Sequence, residues 1–255
     1  MSYEAFAEYY DALMSDVDYD ARASYLDRLI RSVKPAAKLL VDLACGTGSL
    51  TVKLAAKGYD VIGTDISEEM LSKAREKSDG SILFLCQSMQ ELDMYGTIDA
   101  FVCTLDSLNH LPDRGEVVRA FERVALFLEP DGVFVFDMNT PYKHAEVLGD
   151  NCFVYENEQV LCVWQNEDKG GGKVHIALDF FEEQADGRYE RYTEDFDEIA
   201  YSLAETEEML QEAGLRLVNV YDDMTFDPPR EDSQRLVFVA VKAENKTEGR
   251  EQIYE

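Results

Sequence analysis

Residues 39–50 have the sequence LLVDLACGTGSL, an apolar strand that runs into a turn of small residues and then into a helix. Gly46 and Gly48 allow the backbone to turn tightly and to approach a ligand closely, because glycine has no β-carbon. A second apolar stretch, 60–63, is followed by Asp65, where a doubly wound fold carries an acid that binds ribose hydroxyls. Together these features predict an α/β fold that binds a nucleoside.

The chain around this turn alternates apolar runs of strand length with helical patterns, which is typical of a parallel sheet covered by helices. The predicted strands span residues 39–43, 60–63, 82–85, 98–103 and 133–136. The predicted helices span residues 3–14, 19–33, 49–57, 68–77 and 116–128. Ser67 is a suitable N-cap for the helix that follows it.

Beyond Pro141 the pattern changes to period-two runs separated by glycine turns, which predicts an antiparallel lid over the carboxyl ends of the parallel strands. Its strands are predicted at 158–165, 173–181 and 188–201. Ser202 to Glu205 has the form of a capping box, and it opens a helix that ends at Gly214. Apolar runs at 215–220 and 236–241 are predicted to close the sheet.

These patterns predict four segments. Residues 1–141 hold the N-terminal helices and the first part of a Rossmann-like domain, 142–201 the inserted lid, 202–243 the remainder of the domain, and 244–255 a disordered tail.

The composition restricts the class of protein. Of 255 residues, 46% are hydrophobic and 30% are charged, and no apolar run approaches the roughly 20 residues that a membrane helix needs. The N-terminal segment is acidic and lacks the apolar core of a secretory signal, which predicts a cytoplasmic protein. Five cysteines without a Cys-x-x-Cys spacing and three scattered histidines predict neither disulfides nor a structural metal.

The formal net charge of −28 bears on the partner. A phosphate backbone would be repelled, since no cluster of lysine and arginine offsets this charge in the sequence. We therefore predict a small-molecule or protein acceptor and not a nucleic acid.

The kind of nucleoside follows from what surrounds the glycines. A dinucleotide fingerprint requires a small third residue, usually glycine, where this chain has Thr51, which disfavours a nicotinamide cofactor. Asp42, just before the turn, is a poor neighbour for phosphate but a good one for an ammonium group. S-adenosylmethionine has an amino-acid moiety and no phosphate, so it suits this turn.

Four segments resemble the motifs of class I S-adenosylmethionine-dependent methyltransferases. Residues 42–48 (DLACGTG) resemble the first motif, 65–71 (DISEEML) the ribose and adenine motif, 87–92 (QSMQEL) the adenine-edge loop, and 129–137 (EPDGVFVFD) the turn and fifth strand. Residues 6–14, 106–111 and 164–166 are similar to those of the bacterial YqeM-like methyltransferases. The resemblance implies a Rossmann-like fold with a mostly parallel seven-stranded sheet, helices on both faces and an inserted antiparallel β lid. It also implies S-adenosylmethionine as cofactor and S-adenosylhomocysteine as product.

The resemblance assigns Asp65 to the ribose hydroxyls, Ile66 and Met70 to the faces of adenine, and Ser88 to its edge. The full set of predicted cofactor-binding residues is Tyr10, Asp42, Ala44, Cys45, Gly46, Gly48, Asp65, Ile66, Met70, Ser88, Met89 and Leu105. Asn109 and His110 follow the fourth strand, where an open sheet exposes its carboxyl ends to ligand, and they are predicted to be catalytic. His110 is the candidate base for a direct in-line transfer to an amine or hydroxyl.

Two alternatives stay open at this stage. The same fold can serve as a non-catalytic S-adenosylmethionine-binding or partner-binding module, because a cofactor pocket does not guarantee chemistry. A nicotinamide-dependent oxidoreductase is the other, which the missing third glycine disfavours.

Overall fold

The computed structural model describes residues 10, 11, 13–156 and 160–243. The predicted disordered tail at 244–255, most of the predicted helix 3–14 and the start of the predicted strand 158–165 lie outside the described residues. Within the described residues, no helix is long and apolar enough to cross a membrane.

The main sheet has seven strands, of which six run in the same direction. The first five strands are β1 (Leu39–Leu43), β2 (Asp60–Asp65), β3 (Leu83–Cys86), β4 (Ile98–Cys103) and β5 (Leu128–Asn139). The two last strands of the chain are β10 (Leu215–Asp222) and β11 (Arg235–Lys242). The order across the sheet is β10-β11-β5-β4-β1-β2-β3, and β11 runs antiparallel to both of its neighbours. This architecture confirms the predicted fold class.

Helices cover both faces of the main sheet. They are α1 (Tyr19–Val33), α2 (Ser49–Ala56), α3 (Glu68–Lys77), α4 (Arg114–Phe127) and α5 (Leu203–Glu212). Alternate residues of β5 serve opposite faces, as the two-residue period of a strand requires. Phe134 and Phe136 pack in the cluster with α4 and α5, whereas Val133 and Val135 pack in the cluster with α1 and α2.

Local signals in the sequence set several of these boundaries. The Ser67 side chain accepts a hydrogen bond from Met70 N at 3.1 Å and caps α3, as predicted. The capping box of α5 is present, with Ser202 and Glu205 bonding each other's backbone amides. The strand β5 is longer than the predicted 133–136: Ile98 pairs with Leu128 and Ala100 with Val133, so residues 129–132 form a bulge rather than a turn before the strand.

A second sheet of four antiparallel strands lies within the predicted insertion. Its strands are β6 (Cys152–Glu156), β7 (Val160–Gly170), β8 (Lys173–Glu183) and β9 (Tyr189–Ile199), in that order across the sheet. A π-helix (Lys143–Leu148) connects β5 to this sheet. The sequence analysis did not predict β6, which has no buried residue to produce an alternating apolar pattern. We call this sheet the lid.

The parallel strands β1, β2, β4 and β5 end at one edge of the main sheet. The strand order reverses between β1 and β4, and open α/β sheets bind ligands at such a switch point. The residues that follow these strands are therefore brought together, although they are far apart in the sequence.

Candidate active site

A cavity of about 1040 Å³ lies at this edge of the main sheet. One part, which we call the cofactor half, is walled by residues that follow β1, β2, β3 and β4: Ala44, Gly46, Asp65, Ile66, Met70, Ser88, Met89 and Leu105. The other part, the acceptor half, is walled mainly by the lid and its neighbours: His110, Lys143, Phe153, Trp164, Phe196, Glu198 and Arg235. The lid thus lines the same cavity as the ends of the parallel strands.

The two glycines of the first turn have different roles. Gly46 lines the cavity with a φ of 54°, and its backbone amide donates to Asp65 Oδ2 at 2.8 Å. Gly48 does not line it. A β-carbon on Gly48, whose φ is 74°, would lie 2.8 Å from the β-carbon of Ala74, so this glycine lets α2 pack closely against α3. Ala44, with a φ of 53°, lines the cavity in a conformation that favours glycine.

Asp65 ends β2 with its carboxylate at the floor of the cofactor half. Oδ2 accepts from Gly46 N at 2.8 Å and Oδ1 accepts from Ser67 N at 2.9 Å. Each carboxylate oxygen can accept a further bond, so two ribose hydroxyls can be held as well. Burial raises the pKa of Asp65, although these backbone bonds act against that shift.

Asp42 lies beneath the turn, with 2% of its surface exposed. Its Oδ2 accepts from Thr51 Oγ1 at 2.6 Å, and it lines a small pocket next to the main cavity together with Tyr10, Tyr19 and Cys45. Burial raises the pKa of Asp42 to about 7, while the bond from Thr51 lowers it and nearby Asp65 raises it. A cationic ligand group beside this buried carboxyl would stabilise its ionised form.

The pKa of Asp42 predicts how cofactor affinity depends on pH. Because the pKa is raised to about 7, Asp42 is neutral below that pH and must release a proton to pair with the ammonium of the ligand. Affinity for S-adenosylhomocysteine should therefore rise about tenfold from pH 5 to pH 6 and level off above pH 7. Isothermal titration calorimetry in two buffers of different ionisation enthalpy measures the protons released, and Asp42→Asn should reduce that number. Affinity that stays flat between pH 5 and pH 7 would contradict the assignment.

Apolar side chains and one hydroxyl form the rest of the cofactor half. Ile66 is 67% exposed although it lines the cavity, and Met70 and Met89 line it too. An exposed apolar residue of this kind suits the face of a planar base. Ser88 precedes a 3₁₀ turn at Met89–Glu91 and caps it with no side-chain bond. Ser88 also lines the cavity, and its predicted place at the edge of the base remains a prediction.

We predict that Ser88→Asp binds S-adenosylhomocysteine as tightly as the parent or up to about fivefold more tightly. A charged acceptor bonds the adenine amino group about twice as strongly as a neutral hydroxyl. The matched control is Gln90→Asp, which adds the same charge two residues later in the cavity wall and should not tighten binding. Calorimetry decides the matter, and a tenfold loss in Ser88→Asp would contradict the placement of Ser88 at the adenine edge.

The remaining predicted cofactor residues lie around the first turn. Tyr10 lines both the cavity and the small pocket, and its Cε1 would lie 3.8 Å from a β-carbon on Gly46. Burial raises the pKa of the Tyr10 hydroxyl and that of the Cys45 thiol, which keeps both groups neutral. Cys45 lines only the small pocket, and Leu105 lines both. Eleven of the twelve predicted residues thus line the cavity or the small pocket, and Gly48 packs behind the first turn.

His110 and Asn109, the two predicted catalytic residues, occupy different places. His110 lines the acceptor half, its ring 4.8 Å from that of Phe196 and its Nε2 3.7 Å from Glu198 Oε1. Asn109 is fully buried, donates to the carbonyls of Asn139 and Ile199, and accepts from Asn139 N at 2.9 Å. These bonds tie β5 and β9 together, so the geometry favours a positioning role for Asn109 over contact with a substrate.

An ion network that the sequence analysis missed supports the acceptor half. Arg235 donates to Asp137 Oδ1 at 3.1 Å and to Asp106 Oδ2 at 2.8 Å, and Arg22 joins Asp137 to Asp223. Burial alone would raise the pKa of Asp106. Nearby cationic groups, of which Arg235 has the largest effect, instead hold that pKa below its usual value. Asp106 and Asp137 stand within stretches that resemble family motifs, whereas nothing local in the sequence marks Arg235.

The lid and the π-helix that precedes it each add a group that the sequence analysis did not single out. Glu198 is 4% exposed, its Oε2 accepts from Asn139 Nδ2 at 3.1 Å, and the same oxygen lies 3.3 Å from His144 Nε2. Lys143 follows the end of β5 and donates to Asn139 Oδ1 at 3.0 Å. Its position after a parallel strand is the same kind of signal that identified Asp65.

The cofactor half and the small pocket beside it together fit an S-adenosyl amino acid. Asp65 can accept from ribose hydroxyls, Asp42 suits an ammonium group, and Ile66 presents an apolar face to a base. None of the eight residues that define this half is basic, whereas a bound phosphate is usually held by lysine or arginine.

Comparison with known proteins agrees with this chemistry. A family model described as a methyltransferase domain matches residues 40–132. The chain is 37% identical over 248 residues to the protein YqeM of Bacillus subtilis (strain 168), covering 95% of this chain and 98% of that protein. The crystal structure of an S-adenosylmethionine-dependent methyltransferase from Clostridium acetobutylicum ATCC 824 matches with a TM-score of 0.86 at 29% identity, covering 96% of this chain and 100% of that one.

A more distant similarity covers about half of the chain. A dTDP-3-amino-3,6-dideoxy-alpha-D-glucopyranose N,N-dimethyltransferase of Streptomyces fradiae is 34% identical over 133 residues, which is 51% of this chain and 52% of that protein.

Proposed function

Because this chain belongs to the S-adenosylmethionine-dependent methyltransferases, we propose that it transfers a methyl group to a small molecule bound in the acceptor half of the cavity. Membership in this family gives S-adenosylmethionine as the cofactor and excludes the nicotinamide alternative. The observation that carries the proposal is the single cavity of about 1040 Å³, which the cofactor turns and the lid line together.

The rate of methyl transfer depends mainly on how the acceptor atom is positioned relative to the methyl group. When bound, S-adenosylmethionine supplies an electrophilic methyl group on a sulfonium, and the acceptor must lie in line with it. The lid and the residues after β4 hold the acceptor and exclude water, and such positioning is worth roughly 7–11 kcal/mol of the barrier. Apart from this positioning, the reaction requires few catalytic groups from the protein.

His110 is the residue that we assign as the base. It lines the acceptor half, and the ring of Phe196 and the carboxylate of Glu198 lie beside it. An acceptor amine or hydroxyl has to lose a proton, and the imidazole of His110 is a nitrogen base that can accept it. The Glu198 carboxylate would stabilise the imidazolium that results.

The relatives support a small acceptor. The Streptomyces fradiae relative is named for N-methylation of a nucleotide-linked amino sugar, which is a small molecule with an amine acceptor. The net charge of −28 supports the same choice against a nucleic acid, because counterion release requires many lysine and arginine contacts.

The test uses methyl-labelled S-adenosylmethionine with the purified protein and three fractions of a bacterial extract: small molecules, protein and RNA. We expect label in the small-molecule fraction, and none with Asp65→Ala as the control that cannot hold the cofactor. Label in protein or RNA would overturn the proposal. Absence of label from every fraction, with S-adenosylhomocysteine still bound, would favour the non-catalytic binding module.

A further inference from the structure

Lys143 places a positive charge in the acceptor half, and no carboxylate of the described chain forms an ion pair with it. Its Nζ donates to Asn139 Oδ1 at 3.0 Å, and among residues 10, 11, 13–156 and 160–243 no carboxylate oxygen lies within 4 Å of it. Burial lowers the pKa of Lys143 and Arg235 lowers it further, while the carboxylates of Asp106, Glu198 and Asp137, which lie beyond ion-pair distance, raise it. A desolvated ammonium with one neutral partner has two donors left for a ligand.

The carboxylates near Lys143 are already committed to other groups. Asp106 Oδ2 accepts from Arg235 and Asn139, and Asp137 accepts from two arginines. Glu198 Oε2 accepts from the same Asn139 amide that holds Lys143 through its oxygen. The Asn139 side chain thus separates Lys143 from Glu198 and leaves the ammonium facing the cavity that it lines.

The wall contributed by the lid is aromatic. The rings of Phe153 and Tyr155 each lie 6.2 Å from that of Trp164, and all three residues line the cavity. Trp164 Nε1 donates to Asn166 Oδ1 at 2.6 Å, so its ring and not its N–H is offered to a ligand. The acceptor half therefore combines one cation with an apolar surface.

We propose that Lys143 binds an oxyanion of the methyl acceptor, a carboxylate or a phosphate, and that the acceptor is an acidic small molecule. This inference rests on the proposed function and names the substrate class of the same site. A charge-assisted bond from a buried ammonium to an oxyanion is stronger than one to the neutral amide that it now contacts. An uncharged or purely cationic acceptor would leave this partly buried ammonium with the Asn139 amide as its one hydrogen-bond partner among the described residues.

The first test uses Trp164, the single tryptophan of the chain, as a fluorescent reporter inside the cavity. The protein saturated with S-adenosylhomocysteine is titrated with inorganic phosphate and with acetate, against chloride at equal ionic strength. We expect a saturable change with at least one oxyanion, and at least tenfold weaker binding in Lys143→Gln. The matched control is Lys169→Gln, which removes an exposed lysine paired with Glu167 and should behave as the parent. Equal oxyanion binding by parent and Lys143→Gln, or none by the parent, would overturn the proposal.

The second test separates this inference from the proposed function. The labelled small-molecule product is passed over an anion-exchange resin at pH 8. Retention supports an acidic acceptor, and phosphatase treatment that abolishes retention identifies a phosphate monoester rather than a carboxylate. Label that appears in the small-molecule fraction but passes through the resin would overturn the role of Lys143 and leave the proposed function standing.

Discussion

Replacing Asp65 by alanine should weaken the binding of S-adenosylhomocysteine by at least about a hundredfold. The substitution removes two hydrogen bonds from ribose hydroxyls to a charged acceptor, each worth about 1.5–3 kcal/mol, and 1.4 kcal/mol is tenfold in affinity. It also releases Gly46 N and Ser67 N, which Asp65 holds at 2.8 and 2.9 Å. The first turn and the start of α3 lose their common anchor at the same time.

Two controls separate ligand contact from collapse of the turn. Asp65→Asn keeps the shape of the side chain and one acceptor oxygen, so its loss of affinity should be smaller. Asp60→Ala removes an exposed acid at the opposite end of β2 and should leave affinity unchanged. Calorimetry gives the affinities, and thermal unfolding without ligand shows how much stability each variant loses. Asp65→Ala that binds S-adenosylhomocysteine as tightly as the parent would show that another residue holds the ribose.

The elements that the sequence predicts well are those with strong local signals. The bounds of β1, β4, α1 and α3 agree with prediction, because apolar periodicity and cap residues lie within each segment. The edge strand β6 gave no such signal, since Val154 and Tyr155 are exposed and none of its residues is fully buried, although Phe153 packs against the core of the lid. This strand is stabilised by its pairing with β7. A pattern within the strand itself does not predict such a pairing.

The two halves of the cavity also differ in how strongly the local sequence marks their residues. The cofactor half could be predicted because each of its residues stands in or just after a strand of the parallel sheet, and topology alone brings those ends together. The acceptor half is built from Lys143, Glu198 and Arg235, which belong to three segments that meet only when the lid folds back on the sheet. Asn109 was predicted to be catalytic on the same positional argument as the cofactor-binding role of Asp65, but its side chain bonds the backbone of Asn139 and Ile199 and does not line the cavity.

Replacing Asp137 by alanine should lower the free energy of unfolding by about 3–5 kcal/mol, the usual cost of removing one partner from a buried ion pair. Asp137 is 1% exposed and accepts from both Arg22 and Arg235. Its two oxygens also accept from Leu105 N at 2.9 Å and Asp106 N at 2.8 Å. The variant therefore removes one of the carboxylate partners of each guanidinium group and the side-chain acceptor of two backbone amides.

The backbone that Asp137 holds is itself strained. Leu105 and Asp106 have φ values of 59° and 58°, a region that residues with a β-carbon seldom adopt, and they do so in succession. Without the carboxylate this turn is free to relax, and Leu105, which lines both the cavity and the small pocket, would move with it. Asp137→Ala is thus expected to weaken S-adenosylhomocysteine binding as well as stability.

Urea unfolding of the parent and the variants measures the expected loss, with the matched control Asp131→Ala. Asp131 also pairs with a cation, Lys34, but it is 77% exposed, so its removal should change the free energy of unfolding by no more than about 1 kcal/mol. Asp137→Asn retains one acceptor oxygen without the charge and should fall between the two, which keeps the test decisive if the alanine variant does not fold. If Asp137→Ala lowers the free energy of unfolding as little as Asp131→Ala does, the ion network does not hold the turn after β4. Removing an anchor that fixes two residues at positive φ should cost more than removing a surface ion pair.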